Sequence, residues 1–177
     1  EIKIMLAEGT LMGTFEETEK DIVDRVFRLG DMRASALMTP RTQIDWLDLE
    51  RDNEYLWNVI TESSHSKLPV ARGSLDEIVG IVYVKDLLDS RCSDKLPIEE
   101  NVEQPLFVPR SLRAFKLLEQ FQQSGTHVAF VSDEFGGTMG LVTLHDILEH
   151  LVGGLPEEDE DDKSIVKRDE NSWLIDG

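Results

Sequence analysis

Apolar residues in this chain fall in short runs separated by Gly, Pro and acidic turns, and the period of the runs changes along the sequence. Near the start, "FEETEKDIVDRVFRL" (Phe15–Leu29) spaces its apolar positions at three and four residues, which predicts an acidic amphipathic helix ending at Gly30. "QIDWL" (Gln43–Leu47) predicts a short strand, and "NEYLWNVITES" (Asn53–Ser63) places Leu56, Val59 and Ile60 at helical spacing. "KLPVA" (Lys67–Ala71) and "IVGIVYV" (Ile78–Val84) predict two strands joined by a turn. The order then recurs. "PLFVP" (Pro105–Pro109) predicts a strand, followed by a helix from Ser111 whose apolar face is Leu112, Phe115, Leu118 and Phe121. "HVAFV" (His127–Val131), the turn "DEFGG" (Asp133–Gly137), "MGLVTL" (Met139–Leu144) and a second short helix complete it.

The recurrence is a repeat. "GIVYVKDLL" (Gly80–Leu88) and "GLVTLHDIL" (Gly140–Leu148) align at an offset of 60 residues, which superposes Gly80 on Gly140 and Asp86 on Asp146. Each half reads strand–helix–strand–strand–helix. A unit of about 50–60 residues buries too little apolar area to be comfortably stable alone, so the repeats are expected to share a core. The fold class is α/β (α+β): tandem repeats packed as one pseudo-two-fold module and preceded by a helix. The expected organisation is a helical linker at 1–33, one repeat at 34–94 and a second at 102–155. At 156–177 come an acidic linker and the start of a further domain. Within it, "PEEDEDD" (Pro156–Asp162) reads as solvated chain and "SIVKRDENSWLIDG" as first strands with "DEN" at their turn.

Charge narrows the partners. The net formal charge of −18 over 177 residues opposes non-specific binding to nucleic acid or to an anionic membrane surface, so an anionic ligand needs a local cation. Cys92 is the single cysteine, which excludes an intrachain disulfide. No apolar run is long enough to cross a bilayer, and the ends of the sequence read as those of a piece cut from a longer chain. A nucleophile elbow, a phosphate-binding loop before a helix and Cys/His metal spacing are all missing, so the chain reads as not an enzyme. His145, Glu149 and His150 invite a metal reading, but at about 100° per residue the two imidazoles stand roughly 140° apart around a helix. The run Glu157–Asp162 lacks the preorganised octahedral geometry that Mg2+ demands.

One pair carries chemistry. Thr143 and Asp146 form Thr-x-x-Asp at a strand-to-helix junction. Such a pair caps a helix N-terminus, and a carboxylate held there can also accept hydrogen bonds from both hydroxyls of a ribose. The first repeat has Tyr83 where the second has Thr143, a poor cap whose ring fills the space a sugar would need, although Asp86 remains.

Four segments together resemble one family. "ALMTPRTQI" (Ala36–Ile44), "SHSKLPV" (Ser64–Val70), "DEFGGTMGLVTLHDILEHLVG" (Asp133–Gly153) and "IVKRDENSWLIDG" are similar to the CBS domain pair (Bateman module) of the CorC/HlyC, CNNM-related family. Its members place a DUF21-type membrane domain before this pair and a CorC/HlyC domain after it. The resemblance implies a regulatory module on the cytoplasmic face of the inner membrane, linked to Mg2+/Co2+ transport, soluble as this fragment. It implies AMP or ATP as regulatory ligand, with or without Mg2+, and a homodimer of CBS modules. It puts the ribose on Thr143 and Asp146, a phosphate cation at Lys67 beside Pro69, and the base near Thr39, Gln43 and Ile44. Lys67 stands where relatives mostly have Arg and so acts as a point charge; His65 stands where they are often aromatic. Pro69 predicts that its strand lies at a sheet edge, or that Pro69 lies at the strand's end. Two other readings remain: a purely structural dimerisation module with no ligand, and a haemolysin-type toxin or enzyme.

Overall fold

The computed structural model describes residues 4–5, 13, 16–88, 96–153, 165–169 and 172–175, the last two segments by backbone only. The acidic run 157–162 and Cys92 lie outside them. The chain divides into two compact units, Glu1–Ile44 with Pro105–Leu155, and Asp45–Gln104 with Pro156–Gly177. Residues 34–44, assigned by the repeat pattern to the first half, thus belong to the unit of the second. The buried apolar residues group into two clusters, one in each unit, where the repeat pattern leads one to expect a shared core.

In the first unit, α1 (Glu17–Asp31) starts with Glu16, whose backbone N–H donates to the Glu19 carboxylate at 3.0 Å, and buries Leu29. Gly30 does not end this helix. It lies inside it, and the Phe115 ring stands 3.1 Å from the position its Cβ would take, which is a packing reason for glycine there. After α2 (Ala34–Leu37) comes β1 (Thr39–Pro40) and a 3₁₀ turn, Arg41–Gln43, where the sequence predicts a strand from Gln43. A four-stranded sheet runs β1–β7–β6–β5, with β5 (Leu106–Pro109), β6 (Val128–Ser132) and β7 (Thr138–Thr143). β5 is parallel to β6, as its helical crossover requires, and β6–β7 is an antiparallel hairpin. Its turn is held by Asp133, whose Oδ1 accepts from the N–H groups of Phe135 and Gly137 at 2.9 and 2.8 Å.

The crossover helix α5 (Ala114–Ser124) buries Ala114, Leu117 and Phe121. That differs from the expected face of Leu112, Phe115, Leu118 and Phe121. Met32 accepts from Ala114 N–H at 3.0 Å and Leu112 accepts from Ala34 N–H at 2.8 Å, so the chain before α5 is held extended and the helix begins three residues later than expected. Phe115 lies off the buried stripe and covers Gly30 instead. Gly125, at φ 71°, closes the helix by donating to Phe121 O at 3.0 Å. The last helix, α6 (Leu144–Val152), buries Ile147.

In the second unit, β2 (Leu47–Asp48), β3 (Lys67–Arg72) and β4 (Ser74–Tyr83) form a sheet in the order β2–β3–β4. α3 (Asn53–Glu62) is capped by Asp52, which accepts from Tyr55 N–H at 2.9 Å, and buries Leu56 and Ile60. α4 (Val84–Leu88) follows β4 directly. β8 (Ile165–Asp169) and β9 (Ser172–Ile175) form an antiparallel pair around the turn expected at "DEN".

Pro69 corrects an expectation. It sits buried in the middle of β3, the central strand, not at an edge or an end. Ile81, its partner on β4, uses its own N–H and C=O on Glu103, at 3.2 and 2.8 Å, so Pro69 owes that strand no hydrogen bond. On the other side, β2 pairs only from Val70 onward. The missing N–H therefore falls where no strand asks for it.

Asp48 is the buried charge of this sheet, 6% exposed. Its Oδ1 accepts from the N–H groups of Gly73 and Glu50 at 2.9 and 3.0 Å, and Oδ2 lies 3.4 Å from Arg51 Nε. Burial raises its pKa, but the Gly73 and Glu50 donors and Arg51 together outweigh burial and hold it below the ordinary 3.8. A lowered folded pKa gives stability that is complete above the unfolded value and is lost as pH falls through the folded one. Asp48→Ala should cost about 1–3 kcal/mol at neutral pH, since two amides lose a charged acceptor. In urea titrations the gap between wild type and variant should narrow below about pH 4. A gap independent of pH would show that the charge of Asp48 contributes nothing.

Candidate functional site

The paired glycines of the repeat explain how each sheet is finished. At Gly140 the backbone of β1 crosses so closely that a Cβ would meet Thr39 O, and the Met38 sulfur would stand 3.1 Å away. Thr39 pairs with Leu141 and Pro40 with Gly140. At Gly80 a Cβ would meet Glu103 O and the Val102 side chain, and Glu103 pairs with Ile81. The first residues of each repeat are therefore bonded into the other repeat's last strand. That exchange places "MTPRTQI" beside β7, within the unit that carries Thr143 and Asp146.

Thr143 is the N-cap of α6, and the pair forms a complete capping box. Asp146 N–H donates to Thr143 Oγ1 at 3.1 Å. Asp146 Oδ2 accepts twice, from Thr143 N–H at 2.6 Å and from the Thr143 hydroxyl at 2.8 Å. Both demands of the cap thus fall on one carboxylate oxygen. Among the described residues, none donates to Oδ1, which keeps its lone pairs for a donor from outside. The Thr143 hydroxyl proton is committed to Asp146, so Thr143 orients the carboxylate and is not itself a free donor. The capping and ligand readings of this motif are compatible, one oxygen serving each.

The other expected residues divide between the units. Thr39 is half-buried in β1, Gln43 is exposed in the 3₁₀ turn that lies against β7, and Ile44 is half-buried after it. Lys67, Pro69 and His65 belong to the second unit. His65 is exposed and its backbone N–H donates to Ser63 Oγ at 3.2 Å. Lys67 pairs across the sheet with Tyr83, and its Nζ lies 5.3 Å from the centre of that ring. Lys85, which the sequence reading passed over, places its own Nζ at 5.3 Å from the same ring. The available signal was the i, i+2 spacing from Tyr83 at a strand end, visible only once the ring's direction is known. Among the described residues, no three His, Cys, Asp or Glu side chains are grouped to hold a metal. His150 Nδ1 lies 2.8 Å from Asp146 O and so is engaged with its own helix.

The far end of α6 meets α1. A cavity of about 420 Å³ is lined by Arg25, Arg28, Leu29, Met32, Glu149 and His150, and by Gly153. Gly153, at φ 77°, has the Arg25 guanidinium where its side chain would stand. α6 thus carries the open carboxylate at its first turn and packs against α1 at its last.

Comparison with known proteins agrees with this architecture. A family model described as the CBS domain matches residues 100–153. A UPF0053 protein of Synechocystis sp. is 47% identical over 179 residues, covering 100% of this chain and 40% of its own length. "Magnesium and cobalt efflux protein CorC" of Vibrio cholerae is 32% identical over 179 residues, covering 99% of this chain and 62% of its own. The chain therefore spans less than two thirds of these relatives. Among solved structures, the CBS domain of the bacterial CNNM/CorC family Mg2+ transporter is 35% identical with a TM-score of 0.80, covering 88% of this chain and 96% of that one. Its complex with ATP is 37% identical with a TM-score of 0.71, covering 77% and 99%. A CBS-domain pair with bound AMP from Klebsiella pneumoniae is 29% identical with a TM-score of 0.63, covering 70% and 100%. Among the described residues no helix is long and apolar enough to cross a membrane. This chain belongs to the CBS domains of the CNNM/CorC family.

Proposed function

We propose that this chain is the regulatory, non-enzymatic module of a membrane protein linked to Mg2+ and Co2+ transport, and that it senses an adenine nucleotide, AMP or ATP. The observation that carries this reading is Asp146, whose Oδ2 is fixed by the capping box while Oδ1 stays open. A rigid carboxylate with one open oxygen suits a neutral diol, which donates two hydrogen bonds and brings no negative charge. Thr39, Gln43 and Ile44 are assigned to the base and Lys67 to the phosphates, with Pro69 and His65 beside it. Complexes of related CBS domains with ATP and AMP support the ligand class. The module works at the cytoplasmic face of the membrane as a homodimer of CBS modules, attached to the membrane domain of its parent chain. Occupancy at the first turn of α6 biases α1 through the Arg25–Gly153 contact at its other end.

A thermal-shift panel of AMP, ADP, ATP, S-adenosylmethionine and NAD, each with and without Mg2+, tests this reading. At least one adenine nucleotide should raise the melting temperature in proportion to the logarithm of its concentration. A melting temperature that ignores every member of the panel would overturn it and support the structural dimerisation module.

A further inference from the structure

We propose that the cleft between α1 and α6 is a second ligand site, taking a small organic dicarboxylate on the guanidinium groups of Arg25 and Arg28. It lies wholly within the first unit, at the opposite end of α6 from the open oxygen of Asp146. Arg25 and Arg28 are three residues apart on α1, which puts their Cβ atoms about 5–6 Å apart on one side of the helix. Leu29, buried, and Met32, half-buried, add an apolar lining. The volume of about 420 Å³ falls in the usual range of small-molecule sites, about 300–1,000 Å³.

The chain sets 36 Asp and Glu against 18 Lys and Arg, so a cation left without a carboxylate needs a reason. Arg51, Arg72 and Lys116 each have one, at 3.4, 3.1 and 2.7 Å. Among the described residues neither Arg25 nor Arg28 forms an ion pair or a hydrogen bond, although Glu149 lines the same cleft. Arg25 is half-buried, and its guanidinium is held where any side chain at Gly153 would stand. The negative end of the α6 dipole accounts for one cation there. It does not account for Arg28, further along α1, or for two forks of N–H donors that no described residue accepts. His150 adds no donor to them. Its Nδ1 lies 2.8 Å from Asp146 O, a carbonyl that only accepts, so Nδ1 carries the proton and the neutral ring keeps a lone pair on Nε2. A planar carboxylate matches a guanidinium fork, and a dicarboxylate brings one for each arginine, with a carbon chain to lie on Leu29 and Met32. Glu149 lines the cleft from α6, and its charge opposes such a ligand, which gives the test a sign.

The test is titration calorimetry of the whole chain, without nucleotide, using succinate, butyrate and inorganic phosphate at one ionic strength. Wild type is compared with Arg28→Gln and Glu149→Gln; both positions are exposed, so the fold should persist, which melting temperatures check. Succinate should bind wild type about tenfold more tightly than butyrate or phosphate. Arg28→Gln should weaken succinate about tenfold, and Glu149→Gln should strengthen it about threefold. A succinate affinity within twofold of that for butyrate, or one that Arg28→Gln changes by less than twofold, overturns the site. Phosphate bound as tightly as succinate overturns the dicarboxylate assignment. An affinity unchanged in Glu149→Gln overturns the placement of the ligand between α1 and α6. No nucleotide takes part, so this site and nucleotide sensing stand or fall separately.

Discussion

Asp146→Asn should reduce adenine-nucleotide affinity by about a hundredfold while changing the stability of the chain little. The amide keeps a carbonyl oxygen that can accept from Thr143, so most of the cap survives. What is lost is the charge at the second position, where the carboxylate offers Oδ1 to a diol and the variant offers either an NH2 donor or a neutral acceptor. Hydrogen bonds to a charged group contribute about 1.5–3 kcal/mol each, and loss of two of them in part gives about 2–4 kcal/mol. At 1.4 kcal/mol per tenfold, that is a factor of roughly 30 to 1,000. Thr143→Ala gives the converse pattern. It removes the hydroxyl bond to the carboxylate and the acceptor of the Asp146 N–H and should cost about 1 kcal/mol of stability, with a smaller loss of affinity because Oδ1 remains charged. Calorimetry for binding and urea unfolding for stability separate the two variants. An Asp146→Asn affinity within threefold of wild type would remove Asp146 from the ligand site altogether.

The contrast between those variants shows how the sequence could announce the pair but not its division of labour. Thr-x-x-Asp is legible as a cap and as a sugar acceptor because both need the same residues at the same junction. Which oxygen serves which purpose depends on rotamers that no spacing encodes. Other features were hidden for different reasons. β1 is two residues long and pairs with a strand about a hundred positions away, so it has no period of its own to read. Pro69 breaks the usual rule for central strands only because Ile81 bonds to Glu103 instead, a contact across a stretch with no pattern. The start of α5 was misplaced because it is set by backbone bonds to Met32 and Ala34, not by a capping side chain. The repeat and the two hairpins within it came through clearly, since local periodicity and turn residues determine them, whereas the short α2 (Ala34–Leu37) has too few residues to show a period.

Those same non-local pairings make the two repeat glycines the most sensitive positions in their units. Gly140→Ala should destabilise the first unit by about 3 kcal/mol, the upper end of the usual cost of overpacking, because the obstacle is backbone and cannot turn aside. The added methyl meets Thr39 O, so relief requires β1 to leave β7. Departure of β1 also displaces Thr39 and the turn carrying Gln43, so nucleotide affinity should fall along with stability. Gly80→Ala is the internal twin: its methyl meets Glu103 O and Val102, and a similar loss should appear in the second unit. Gly125→Ala separates crowding from conformation. Nothing lies within 4 Å of a Cβ there, yet φ is 71°, so only the left-handed backbone is penalised and about 1 kcal/mol should be lost. Urea unfolding of the three variants should therefore rank Gly140 and Gly80 well above Gly125. A Gly140→Ala variant no less stable than Gly125→Ala would mean that β1 is held loosely. In that case the segment carrying Thr39 would not be fixed on β7, the strand that leads to Thr143, and its assignment to the base would lose its footing.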